Sequence, residues 1–225
     1  MAKTKRKIAD IRELPSYGVS EAAHYLNVAP PTLRYWAGQD EYPGLVTPAA
    51  IKPLVFSFLN LVELHVLATI RRTHAVSMPK VRDAIKYLEQ YYGKNHPLIS
   101  QELQTDGLDL FIEEYGRLVN ISQSGQHAMR EVLEAALQRI ERDRAGIPIK
   151  LYPFTRSSIE NAPAVVVINP SLSAGRPVIS GTGVATEVIA ERYKAGDSIE
   201  TLARDYERTA EEIEEAIRCE LQAAA

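Results

Sequence analysis

One cysteine in 225 residues, Cys219, leaves nothing from which to build an internal disulfide or a multi-cysteine metal site. A reducing cytoplasm is the natural setting for such a chain. Its five histidines, His24, His65, His74, His96 and His127, fall at no paired ligand spacing and are read as packing or surface residues. There is no Ser/His/Asp order and no nucleophile elbow. The Gly-rich stretch SAGRPVISGTG lacks the ending and spacing of a phosphate-binding loop, so its glycines are read as turn formers. The sequence therefore offers no catalytic residue, no metal site and no cofactor, and the expectation is a protein that is not an enzyme. Long apolar runs are missing too. The most apolar stretch, Leu54 to Ile70, is broken by Asn60, Glu63 and His65 and reads as a buried helix, not a membrane span. MAKTKRKIADIREL is basic but has no apolar h-region, which excludes a signal peptide.

A strong overall charge is also absent. The net value is −3, spread unevenly. Residues 1–60 hold seven Lys/Arg against five Asp/Glu, residues 61–186 fourteen against thirteen, and residues 187–225 five against eleven. A nucleic-acid surface belongs near the start, and the acidic end should meet something other than a polyanion. Lys3, Lys5, Arg6 and Lys7 form a basic arm, either a phosphate-seeking tail or a solubilising terminus.

What is present is most informative between Tyr25 and Trp36, YLNVAPPTLRYW. Ahead of it, GVSEAAHYL puts Val19, Ala22, Ala23 and Leu26 on one face of a short helix, with Ser20 as the expected cap. Asn27 suits a turn that needs a positive φ. Pro30 and Pro31 fit only the first turn of a new helix. Leu33 and Trp36 lie three apart and share its buried face, leaving Pro31, Thr32, Arg34 and Tyr35 outside it. A cation and a phenol there suit phosphate and groove contact, and Thr32 suits base reading. The run resembles the DNA-binding start of the MerR family, Gly-Val-Ser-Pro-x-Thr-Leu-Arg-Tyr-Tyr. Asn27 replaces its Gly and Ala29 its capping Ser. The family's wing is Arg-rich, whereas in YPGLVTPAAIKPLVFSFLN Lys52 is the only cation. The resemblance implies a winged helix-turn-helix, with Leu54 to Phe56 as the returning wing strand, and a homodimer on operator DNA.

Helical spacing continues in SFLNLVELHVLATIRR and in a second helix capped by Ser77, striped by Val81, Ile85, Leu88 and Tyr92 and ended by Gly93. From 94 to 126 the period changes. Asp106-Gly107 predicts a hairpin turn between LISQELQT and LDLFIEEY, and LVNIS a third strand. Gln123 to Gly125 read as a turn, followed by a long helix from His127 to Arg144. Its stripe Met129, Val132, Leu133, Ala136, Ile140 is a candidate dimer interface or internal packing. AGIPIKLYPFTR reads as an extended connection.

The last third opens with the β-branched run APAVVVINP. Three helices are expected after it: 186–194, 199–206 and 210–222. Capping-box spacings are Asp197 with Glu200 and Thr209 with Glu212. LARDYERTAEEIEEAI has helix-turn-helix register, but its second helix carries Glu211, Glu212, Glu214, Glu215 and Glu220 against Arg218, which opposes phosphate binding. The segment INPSLSAGRPVISGTGVATEVIAERYKAGDSIETLARDY resembles a small bacterial helix-turn-helix family long catalogued without a function, whose members often sit beside PIN-domain ribonuclease toxins. Together the two resemblances point to long VapB-type antitoxins. They imply operator DNA and a PIN-domain toxin as partners, with Val165, Val167, Arg176, Glu211, Glu212 and Glu215 as partner-binding candidates. Arg176 reads equally as a local structural arginine.

The expected fold is mainly α (α+β) in three parts. Residues 1–93 form a winged helix-turn-helix with two following helices. Residues 94–159 hold a β-hairpin, long helix and linker. Residues 160–225 form a strand plus three-helix partner-binding domain. The expected function is an autoregulating, DNA-binding antitoxin. The alternative is a MerR-like regulator answering a small organic ligand in the middle region.

Overall fold

The structure is a computed structural model that describes residues 10–38, 44–72, 76–93, 96–119, 122–156, 159 and 162–221. Lys3, Lys5, Arg6, Lys7 and His74 lie outside them. The described residues are mainly helical, with three small antiparallel sheets.

The first part opens with β1 (Tyr17–Gly18), α1 (Val19–Leu26) and α2 (Pro30–Ala37). A hairpin of β2 (Ala50–Ile51) and β3 (Leu54–Phe56) adds to β1 in the order β1-β3-β2, with Tyr17 opposite Phe56. Gly18, not Ser20, is the cap of α1. Its N–H donates to the Glu21 carboxylate at 3.3 Å, the reach-back half of a capping box. Asn27 ends α1 in the left-handed region, φ 51°.

Helix α3 (Phe58–Arg72) is the centre of the larger core. Every residue from Phe58 to Ile70 is buried, as expected of a helix apolar on all sides. Two of its polar members, Asn60 and Thr69, are satisfied internally. Asn60 accepts the Ser57 N–H at 3.1 Å and donates to the Thr47 carbonyl at 2.8 Å, and Thr69 donates to the His65 carbonyl. Helix α6 (Gln123–Leu137) packs on α3, and α4 (Met78–Tyr92) and α5 (Asp106–Val119), packed on each other, share the same core.

The middle region departs most from expectation. Asp106-Gly107 begins α5 rather than turning a hairpin. Asp106 and Asp109 sit in its first turn, where carboxylates complement the dipole. Leu108, Phe111, Ile112 and Tyr115 are spaced for one helical face, and all are buried. Leu118 and Val119 end this helix, so they do not open a third strand. Ser122 accepts the Gly125 N–H and starts α6 where a turn was expected. That helix stops at Leu137. Ile140 belongs to β4 (Ile140–Arg142), which pairs with β5 (Pro148–Leu151). A hairpin exists, but at 140–151. The Asp143 carboxylate shapes its turn by accepting the N–H groups of Ala145 and Ile147 at 2.9 and 3.0 Å. Met129, Leu133 and Ala136 are fully used inside the larger core, which removes that stripe as a dimer face.

The smaller core, Ile179, Ile189, Leu202, Ile213, Ala216 and Ile217, is closed by β6 (Val166–Val167), β7 (Val178–Ile179), α7 (Thr186–Lys194), α8 (Ile199–Asp205) and α9 (Ala210–Leu221). Ser198, not Asp197, caps α8, and Asp197 instead pairs with Arg192 at 2.6 Å. Thr209 and Glu212 do form the reciprocal capping box of α9. The two cores touch. The Tyr17 hydroxyl donates to the Gly175 carbonyl at 3.0 Å, so close that a Cβ on Gly175, itself at φ +79°, would strike the phenol. Arg156 Nε donates to the fully buried Glu215 at 2.7 Å, and the Thr155 hydroxyl donates to the other oxygen.

Candidate nucleic-acid and partner interfaces

The turn between α1 and α2 is set by backbone chemistry. The Val28 N–H reaches back to the Ala23 carbonyl at 3.0 Å across Asn27, the six-residue bond that ends a helix in a left-handed residue. Ala29 occupies the cap of α2 without a side-chain bond, and Pro30 and Pro31 open the helix. Leu33 and Trp36 are fully buried beneath it. Arg34 and Tyr35 face out, and Arg82 of α4 lies over the Tyr35 ring, 5.5 Å from its centroid. Pro31 is exposed and Thr32 half-buried. Lys52 is exposed in the β2–β3 turn, next to Ile51, which is 73% exposed. Arg34, Tyr35, Pro31 and Lys52 are thus each on the outside of their own element. Lys5 and Arg6 lie outside the described residues.

The acidic helix is organised differently. Glu211 is exposed, 3.9 Å from Arg156, and Glu214 is exposed beside a shallow cavity lined also by Tyr193, Ile217 and Leu221. Glu212 is engaged by the Thr209 cap. Glu215 is not on the outer face at all. Burial pushes its carboxyl up, but bonds from Arg156 and Thr155 outweigh this and hold it below the usual carboxylate range. The strand candidates are also occupied. Val167 is buried, β6 is paired with β7, and Ile168 exchanges two backbone bonds with Leu151. Val165 is half-buried and accepts the Ser180 N–H. Arg176 pairs with Glu187 at 2.7 Å on the surface, the local structural role.

Two buried features were not singled out in the sequence. His96 Nδ1 lies 2.9 Å from the Glu63 carboxylate, and this contact raises the His96 pKa. His96 lines a cavity of about 350 Å³ with Asp10, Glu13, Ser100, Gln101 and Ile147. A lone Glu inside an apolar helix is the sequence signal for such a partner. The second feature surrounds Phe154. Its ring stacks on His65 at 5.2 Å, with Arg72 and Arg139 over it at 5.5 and 4.6 Å. Among the described residues no group of three or more His, Cys, Asp or Glu could hold a metal ion, and no helix is long and apolar enough to cross a membrane.

Comparison with known proteins places this geometry in a family. The chain is 30% identical over 189 residues to uncharacterized protein Rv2308 of Mycobacterium tuberculosis, covering 80% of this chain and 76% of that one. It belongs to the same family as Rv2308. It is also 28% identical to a Mycobacterium tuberculosis protein named "Putative antitoxin VapB45", over 91% of this chain and 93% of that protein. The crystal structure of Rv2018 from the same organism matches 91% of this chain and 98% of its own, with a TM-score of 0.70 at 25% identity. Residues 166–218 match the family described as "Protein of unknown function (DUF433)", which spans the β6–β7 pair and most of the three helices that close the smaller core.

Proposed function

We propose that this chain is the DNA-binding antitoxin of a toxin–antitoxin pair. It binds its own operator, as a dimer, through a MerR-like winged helix-turn-helix of α1, α2 and the β2–β3 wing. It neutralises a PIN-type ribonuclease through the C-terminal domain that begins near residue 160. The observation that carries the reading is the α1–α2 pair with Arg34 and Tyr35 outward over a buried Leu33 and Trp36. That is the arrangement that lays a helix in a groove and its cations on phosphates. The name of the VapB45 relative supports the toxin-binding half. Exposed Glu211 and Glu214 complement a basic, RNA-binding partner and repel duplex DNA.

The test joins both halves. The full chain, co-expressed with a PIN-type ribonuclease if its neighbouring gene encodes one, should co-purify with it and abolish its ribonuclease activity. The same chain should shift a fluorescent duplex carrying its own upstream sequence. Free toxin activity in the presence of the chain would sink the antitoxin role, and no duplex binding would sink the regulatory one. A second reading, a regulator answering a small organic ligand, is favoured by the 350 Å³ cavity at His96, a volume within the usual range of ligand pockets.

A further inference from the structure

A cavity of about 320 Å³ opens where the turn between α1 and α2 meets the end of α3. Asn27, Ala29, Thr32, Arg71 and Arg72 contribute to its walls, and no carboxylate lines it. Arg71 is exposed and has no hydrogen-bond or ion-pair partner among the described residues. Arg72 is half-buried behind it. Its Nη2 donates to the Leu26 carbonyl at 3.3 Å, its plane lies over Phe154, and its Nη1 is buried without a partner. A carbonyl dipole and a ring face meet this charge where a carboxylate would be expected. Burial accordingly lowers the Arg72 pKa, and its positive field helps to depress that of His65. The start of α2 cannot supply the usual helix-terminal N–H donors, because Pro30 and Pro31 have none and the Thr32 N–H is turned back to the Ala29 carbonyl. Side-chain cations stand in that place instead.

We propose that this cavity seats one phosphodiester group of duplex DNA, with Arg71 as the contacting group and Arg72 as a fixed charge behind it. Arg71 donates charge-assisted hydrogen bonds to the oxyanion, and Thr32 borders the seat. The proposal rests on the DNA-binding reading of α2 and adds a contact from the end of α3. The same oxyanion chemistry is met by free inorganic phosphate, so the experiment includes both.

Full-length protein is titrated by fluorescence anisotropy against its upstream duplex and a random duplex of equal length, across a salt series. Inorganic phosphate alone is titrated in parallel by NMR. Arg71→Gln should weaken both duplexes alike and lower the log–log salt slope by about 0.9, the value of one phosphate contact. Arg72→Lys, which keeps the charge, should leave the slope unchanged, and thermal melting confirms that the fold is intact. Intact duplex binding with an unchanged slope in Arg71→Gln overturns the phosphate seat while leaving the DNA-binding reading in place. Saturation by inorganic phosphate together with that unchanged slope overturns it in favour of a free-anion site. Absence of any duplex binding by the natural chain removes both.

Discussion

Helix pairs α1–α2 and α8–α9 are built on one hinge, and their second helices carry opposite charge. Asn27 and Glu207 both sit at positive φ, 51° and 53°. The Val28 N–H reaches Ala23 at 3.0 Å, and the Arg208 N–H reaches Ala203 at 2.9 Å. Leu33 and Trp36 occupy the buried positions that Ile213 and Ala216 fill in the other pair. The outward positions diverge: Arg34 and Tyr35 on α2, Glu211 and Glu214 on α9. Backbone geometry makes the hinge, and the exposed side chains give each second helix its own surface charge. A helix-turn-helix register is therefore no evidence for DNA contact until its outer face has been read.

The largest effects should come from the cores beneath the two pairs. Trp36→Ala is expected to cost about 3–5 kcal/mol and Ile213→Ala about 2–5 kcal/mol in urea denaturation. Trp36 is the sole tryptophan, so its fluorescence follows the first core, whereas circular dichroism follows all the helices. In Ile213→Ala the dichroism should lose stability ahead of the fluorescence. Coincident shifts would mean that the two cores unfold as one unit.

Acid should separate the cores next. Burial holds the His65 imidazole down at about 3, against 6.5 for a free histidine. The unfolded chain takes up that proton below pH 6.5 while the folded chain does not until about 3, so stability drains away as pH falls through this window. By pH 5 the loss is about 2 kcal/mol. Beyond His127 the chain has no histidine, so this loss belongs to the first core. The drop in Trp36 fluorescence midpoint should be absent in His65→Gln, and a drop of the same size in that variant would assign it to another group.

Smaller changes should divide the partners. Arg34→Ala with Tyr35→Ala is expected to weaken operator and random duplex alike, by about tenfold or 1.4 kcal/mol. Glu211→Lys with Glu214→Lys should reduce toxin capture in calorimetry and leave operator binding unchanged. Loss of operator binding in the second variant would erase the contrast between the helices.

The smallest effects concern the caps. Thr209→Ala removes a formed capping box and should cost about 1 kcal/mol, whereas Ala29→Ser supplies the oxygen that α2 lacks and should add about 0.5–1 kcal/mol. Paired melting curves check both, and a loss of stability in Ala29→Ser would show that the turn has no room for the hydroxyl.

Legibility in the sequence followed locality. Asn27, the two prolines, Leu33 and Trp36 are governed by neighbours in the chain, and the structure keeps each of them as read. The three C-terminal helices also fall within a residue or so of their expected bounds. The middle third was misread because Asp106-Gly107 carries a turn signal that helical spacing at Leu108, Phe111, Ile112 and Tyr115 overrides. Glu215 was placed on the surface because its partner, Arg156, lies 59 residues away and leaves no local trace. The same holds for Glu63 and His96, and for the stripe of α6, whose apolar spacing is equally consistent with a dimer face and with packing on α3.

The bond between Tyr17 and Gly175 spans 158 residues. On the ribosome, the segment carrying Tyr17 emerges early and Gly175 late. Until then the phenol has no Gly175 carbonyl to meet, and that flank of the first helix pair is uncovered. Loop closure over such a distance comes late in folding. A chain cut short before Gly175 would thus leave Tyr17 without this partner, and synthesis itself imposes an order in which the smaller core completes the contacts of the larger one.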